Sequence, residues 1–585
     1  MKLIFRYLGK YKKPVAFAIL IKLFAAFFEL SLPYIFEHIV DNVVPSKDLL
    51  LVLVWGLAMF AAAFICRTLN VTANRRGVDN AHRISYDVRQ ALFRKTSNLT
   101  GAQFDAFTLP SLISRMTSDS YNVQSSVQQL QTLCVRAPIL LIGGVIVALA
   151  MDASLAMILV IMLPILIAVV LFVSSRGIPL YKAVQGKLDA IVRIMRENIT
   201  GIRVVKALSK EDYEKRRFAD ANGEMTRTDI KAATIMALPS PIMQLCLNTG
   251  LTLVVLIGAG RVNDGLMKPG VILAFLTYFN MITMGVMGLS RIFMTMSKAS
   301  ASADRIDAVL QTPTDEDILP EEEGLKPSGE GFIRFEHVNF SYGEDSGETA
   351  GFHGESREKA LDDISFTVRK GESLGIIGPT GCGKTTVINL LMHFYDADSG
   401  GVFVDGRDVR TYPKDELRRK FGAAFQNDMV FKESLRENVD FGRGLSELAL
   451  QQALEDAMAA EFVNALPEGL DFQAAIKGAN LSGGQKQRIL VARALAADPE
   501  ILVLDDASSA LDYKTDAAMR KAITQNHGGS TLIMIAQRVS SVMNMTKILV
   551  LDNGKCIGYG THAELLETCP AYREIYEIQM GAIAG

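Results

Sequence analysis

Gly378-Pro379-Thr380-Gly381-Cys382-Gly383-Lys384-Thr385-Thr386 is the stretch whose reading decides the fold. Its glycines let the backbone wrap closely around a phosphate, with N–H groups turned inward at a helix N-terminus. The flanks agree. Leu361–Val368 and Ser373–Ile377 read as strands, and Thr385–Phe394 reads as a helix. A strand, this turn and a helix are the context that confirms a phosphate loop. Lys384 would reach the β- and γ-phosphates, and the Thr385 hydroxyl would bind Mg²⁺.

Downstream, Ile501-Leu502-Val503-Leu504 has the unbroken apolar pattern of a buried parallel strand and ends in Asp505-Asp506. Asp505 is placed to hold the Mg²⁺ shell, and Asp506 would face the γ-phosphate and the attacking water. Between these stretches lies Leu481-Ser482-Gly483-Gly484-Gln485.

Upstream, the chain changes character. Of its 585 residues, 49% are hydrophobic and 21% charged, which fits one membrane half and one globular half. The length allows about three to four domain-sized units. The net charge of -2 is uninformative, and no basic tract or aromatic-basic interleaving argues for nucleic acid as a partner. None of Cys66, Cys134, Cys246, Cys382, Cys556 and Cys569 forms a CxxC pair, so free thiols in a cytosol-facing protein are expected.

Six runs are apolar enough to cross a bilayer: Pro14–Leu32, Leu49–Cys66, Ala137–Met151 (extended by Leu133 and Cys134), Ala153–Ser175, Ala232–Gly260 and Pro269–Ser290. Basic residues crowd the segments after the second and fourth runs, such as Arg75, Arg76, Arg83, Arg193, Arg196 and Arg203. By the positive-inside rule both termini are cytoplasmic. Residues 1–13, with Lys2, Arg6, Lys10, Lys12 and Lys13 interleaved with apolar residues at helical spacing, read as an amphipathic elbow helix rather than a signal peptide. Asp79–Leu99 and Leu188–Ala207 continue the spans into the cytosol, with turning points near Gln103–Arg115 and Ile199–Ala207. Glu29 and Lys22 share one face of the first span, either as a structural pair or as functional charges. Met281, Met284 and Met287, with Met294 and Met296 beyond them, suit ordinary packing or a soft binding surface.

From Thr312 an acidic, proline-bearing linker (312–331) leads to a second domain (332–580), which opens on the strand pattern Phe332–Ser341 and the polar loop Gly343–Glu358. The transmembrane domain is then 14–311.

Together these residues resemble the ATP-binding cassette (ABC) family, and specifically its type IV exporters. The likeness covers nearly the whole chain. It implies a multidomain protein: a six-helix transmembrane bundle with long cytosolic helical extensions, fused to an α/β P-loop nucleotide-binding domain with a RecA-like core and a helical subdomain. On the family pattern, Tyr342 stacks on adenine, Gly378–Thr386 is Walker A, Gln426 in Phe425-Gln426-Asn427 is the Q-loop and a further Mg²⁺ contact, and Asp505 is Walker B. Leu481–Gln485 is the signature, Ser509-Ala510-Leu511-Asp512 is the D-loop, and Gln537 is the switch position. Gln103-Phe104-Asp105 and Asn198–Lys206 look like the two coupling helices. The resemblance implies ATP and Mg²⁺ as cofactors, a cell (inner) membrane location, and a dimer in which each ATP lies between one chain's Walker motifs and the other's signature.

Three positions depart from the pattern. Asp506 replaces the catalytic glutamate, which draws the carboxylate back by about 1.5 Å; positioned general-base help is typically worth roughly 10²–10⁴-fold. Gln537 replaces the switch histidine, and Gln473–Lys477 lacks the Gly-Glu pair that usually precedes the signature. These changes beside an intact signature imply the degenerate-site subunit of a heterodimer moving amphipathic drugs or lipids. The alternatives are a slow homodimeric exporter or an ATP-gated channel.

Overall fold

A computed structural model describes residues 1–313, 319–343, 359–426 and 428–581. Most of the glycine-rich loop at 343–358, much of the acidic stretch after Thr312, and Asn427 lie outside the described residues. The chain divides into two units: Met1–Thr96 with Pro110–Thr312, and Ser97–Leu109 with Pro313–Gly585.

Six long helical stretches dominate the first unit: Lys12–Ser46, Leu49–Ser97, Leu109–Met151, Ala153–Thr200, Glu211–Asn263 and Pro269–Gln311. Each contains a window apolar enough to span a bilayer, and most run well past it, as the helix-forming flanks lead one to expect. The sixth stretch is the hub. Ala274, Phe275, Tyr278, Phe279, Ile282 and Val286 are buried along one face, and Ala299, Ala303, Ile306 and Val309 continue the buried stripe beyond. Small residues let neighbouring helices close on it: a Cβ on Gly250 would stand 2.2 Å from the Phe279 ring. Tyr278 donates its hydroxyl to the Leu30 carbonyl at 2.7 Å. Met284 and Met287 are exposed in this chain, while Met281 is half-buried. The elbow helix Lys2–Lys10 buries Leu3 and Ile4, and its Lys10 bonds Asp87 at 2.6 Å.

The expected neighbourhood of Lys22 and Glu29 is corrected. Glu29 is held by Arg136 of the third stretch, through Nε at 3.0 Å and Nη2 at 2.5 Å. Lys22 turns instead to the Asn70 and Asn74 side-chain oxygens of the second, at 2.7 and 3.0 Å. Residues seven apart on a helix are about 10 Å apart along its axis, and each charge found a nearer partner across a helix interface.

In the second unit, β1 (Ile333–Phe340), β2 (Leu361–Val368), β4 (Ser399–Val404) and β5 (Arg407–Asp408) form an antiparallel sheet in the order β2-β1-β4-β5. The other sheet runs β10-β9-β3-β8-β7-β6, from β3 (Ser373–Ile377), β6 (Phe421–Ala424), β7 (Ile501–Asp505), β8 (Thr531–Ile535), β9 (Lys547–Asp552) and β10 (Lys555–Gly560). All its pairings are parallel except β10 on β9. Every residue of β7 is buried, which accounts for its unbroken apolar sequence. A separate core under the helices Leu435–Asp440, Glu447–Asp456, Ala460–Ala465 and Gly483–Leu495 joins Leu435, Val439, Leu454, Val463 and Ile489. This is the small helical subdomain.

Candidate functional site

The parallel sheet assembles the site by its strand order. β3, β8 and β7 are neighbours, so the loop after β3, Gln537 after β8 and Asp505-Asp506 at the end of β7 meet at one edge. Gln426 follows β6, the next strand over. Ligands of open α/β sheets bind at this carboxyl end. A cavity of about 520 Å³ opens here, lined by Tyr342, Thr380, Gly381, Gly383–Thr386, Gln426, Asp505, Asp506 and Gln537.

The loop needs its glycines. Gly381 and Gly383 sit at φ of 87° and 97°, and a Cβ on Gly383 would stand 2.5 Å from the Ala360 carbonyl oxygen. Helix Lys384–Leu391 follows directly. Lys384 Nζ donates to the Gly378 and Pro379 carbonyls at 2.9 and 2.7 Å, and so stays within the loop. Cys382 is buried, and burial pushes its thiol up despite the nearby Lys384 ammonium.

Thr385 Oγ1 donates to Asp505 Oδ2 at 2.9 Å. Two hard oxygen donors thus lie side by side, which suits Mg²⁺. Gln426 has its amide oxygen to add, since its Nε2 is the atom turned to Asp506. Among the described residues no group of three His, Cys, Asp or Glu side chains could cage a metal by itself, so the phosphates of a nucleotide would complete the shell. Burial raises the Asp505 carboxyl, and the neighbouring Asp506 adds to the rise.

Asp506 is tied down. Its Oδ2 accepts from Gln426 Nε2 at 3.1 Å and from Gln537 Nε2 at 3.0 Å. Its backbone is left-handed, with φ of 52°, a conformation that aspartate tolerates better than most residues. Burial raises this carboxyl as well; Lys384 and the two amides pull the other way.

Tyr342 is 44% exposed beside the loop and donates its hydroxyl to Thr386 Oγ1 at 3.1 Å. Its ring meets Tyr395 edge-on at 5.3 Å. Tyr395 in turn donates to Asp105 at 2.6 Å, and Phe394 accepts from the Gly101 N–H at 3.0 Å. Helix Gly101–Phe107, started by a Thr100–Gln103 capping box, therefore packs beside Phe394 and Tyr395. Asn198–Lys206 turns at Gly201 and forms helix Ile202–Ala207 in the other unit, with Ile202 and Val204 exposed.

Leu481–Gln485 does not line this cavity. Ser482 caps helix Gly483–Leu495 through a capping box with Gln485, and Ser482 and Gly483 are exposed. Such an end is ready to receive an anion from another molecule. Gln473–Lys477, the third departure, is held by Asn480, which bonds the Gln473 carbonyl at 3.0 Å and the Ala475 N–H at 2.8 Å. Asp512 caps helix Tyr513–Asn526.

Gln487 is the residue that sequence reasoning missed. From the signature helix its Nε2 donates to Ser509 Oγ at 2.8 Å and to the Asp506 carbonyl at 3.3 Å, and its Oε1 accepts from Ala510 N–H at 2.8 Å. Nothing in its immediate sequence signals contacts this far along the chain.

Two family models match the chain: an ABC transporter transmembrane region over residues 15–286 and an ABC transporter domain over residues 361–509. The chain is similar to the uncharacterised ABC transporter ATP-binding protein YfiB of Bacillus subtilis (strain 168), 32% identical over 576 residues and covering 98% of each. It is also similar to an uncharacterised ABC transporter ATP-binding protein of Mycobacterium tuberculosis, 33% identical over 582 residues, with 98% of this chain and 97% of the relative covered. A solved structure, described as a bacterial Atm1-family ABC exporter with ATP bound, matches in fold with a TM-score of 0.80 over 97% of this chain and 98% of that one, at 21% identity.

Proposed function

The chain belongs to the ABC transporter family, with fused transmembrane and ATP-binding domains, and from that premise we propose that it is the weak-site subunit of a heterodimeric exporter. Its own Walker residues hold ATP and Mg²⁺ and turn ATP over slowly. Its Ser482–Gln485 completes a competent site on a second half-transporter. The pair carries amphipathic molecules, drugs or lipids, out of the cytoplasm or inner leaflet, with both termini cytoplasmic.

The observation that carries this reading is the fixing of Asp506. A general base must reach the water it activates. Here the carboxylate is a methylene short, and one of its oxygens is occupied by the amides of Gln426 and Gln537. Gln537 offers a neutral amide where an imidazolium would bring a positive charge, so it would hold a γ-phosphate more weakly. Beside this, the signature's capping box is complete.

Co-purification with a second half-transporter, followed by ATPase assays of this chain alone and of the pair, tests the proposal. The pair should turn over ATP well and the chain alone poorly. Strong turnover by the chain alone would return the slow-homodimer reading to first place.

A further inference from the structure

The apolar runs at 49–66, 137–151, 153–175, 232–260 and 269–290 contain no charged side chain. Of the six runs only the first holds charged side chains, Lys22 and Glu29; Arg136, just before the third, is level with Glu29 because it binds it. A charged side chain at such depth is costly and is retained for a reason.

The three do not balance. Glu29 is fully taken by Arg136, whose side chain remains 35% exposed. Lys22 is only 4% exposed and, among the described residues, has no carboxylate in salt-bridge contact; its Nζ is met by two neutral amide oxygens, from Asn70 and Asn74. Charge-assisted bonds of this kind keep an ammonium in place, but they do not neutralise it. The cluster thus carries one excess positive charge. Asn74, at its edge, is exposed, and the Arg136 side chain is partly so.

We propose that this cluster binds the acidic group of an amphipathic anion, a carboxylate or phosphate on an apolar tail. Arg136 meets the group directly and Lys22 supplies the unbalanced charge. The inference rests on the exporter reading and narrows its substrate class. The same chemistry is offered by a membrane lipid's headgroup and by a soluble amphipath.

The test is binding of radiolabelled laurate, dodecyl phosphate, dodecyltrimethylammonium and dodecanol to the full chain in phosphatidylcholine nanodiscs without ATP, corrected with empty discs. The two anions should bind about tenfold more tightly than the ammonium, the size of one charge-assisted contact. Lys22→Met should remove that preference and leave dodecanol unchanged. Glu29→Gln, which raises the excess charge, should tighten the anions further. Repeating the laurate titration in discs containing phosphatidic acid separates the sources: competition assigns the site to a lipid headgroup, and its absence to a soluble amphipath. Equal binding of anion and cation, or a Lys22→Met variant that weakens all four probes alike, overturns the proposal. No step of this assay uses ATP hydrolysis or a second subunit. Its failure therefore leaves the exporter reading standing, and that reading falls separately if the pair shows no ATP-driven accumulation of any amphipath in vesicles.

Discussion

At the Walker surface, Asp506 and Gln537 stand in place of the family's glutamate and histidine, and one carboxylate oxygen is already bonded to two amides. At the signature surface, Ser482–Gln485 keeps the family sequence, with a complete capping box and an exposed serine. Both belong to one domain, and their backbones are formed with equal care. The Walker loop has its left-handed glycines, its helix and its lysine, everything needed to hold a triphosphate. What differs is the group beside the bond to be broken. Retention and hydrolysis are separable properties of such a site, and on the proposed reading only the second is altered.

The contrast breaks most sharply at Ser482. Ser482→Ala is expected to cut the ATPase rate of the pair about 100-fold, the usual loss on removing one transition-state donor. A decrease of no more than a few-fold in steady-state assays would mean the signature serves no competent site. Comparable in size is repair of the weak side. Asp506→Glu combined with Gln537→His should raise turnover by this chain alone at least about 100-fold, the lower end of what positioned acid–base help supplies. An unchanged rate would show that something beyond these two side chains limits it. Gln487→Met removes the contacts between the two surfaces while keeping length and helix propensity. It should lower the pair's ATPase about fivefold, with nucleotide binding at the Walker loop retained in a fluorescent-ATP titration. Smallest is Asp506→Asn, expected to change the pair's rate by about twofold or less, because the altered step is not the one that limits turnover. A larger loss there than at Ser482 would reverse the assignment of the two surfaces.

The local parts of this reading were legible in the chain. A phosphate loop, a buried strand ending in two aspartates and long apolar runs are each announced by neighbouring residues, and β2 and β3 have the bounds that their patterns indicate. Contacts set by tertiary packing were not. Lys22 and Glu29 share a helix face, yet their partners come from the second and third stretches; Arg136 is 107 positions from Glu29. The amides on Asp506 depend on the parallel register of β6, β7 and β8, which no single segment contains. Gln487 was hidden for a similar reason. It follows a recognised motif and looks like an ordinary helical glutamine, but its partners lie beyond the next strand.

That glutamine has a consequence for timing. One amide group grips the carbonyl of Asp506 and the turn after it, while its own helix begins at Ser482. In an asymmetric dimer those ends touch different ATP molecules, one slow to react and one fast. Free-energy linkage through a shared group runs equally in both directions. If the slow nucleotide strengthens the grip on the fast one by some factor, the fast one must strengthen the grip on the slow one by the same factor. The affinity for the idle ATP would then be higher while its neighbour is present and lower once it is spent, so an apparently inert site would keep a record of each cycle.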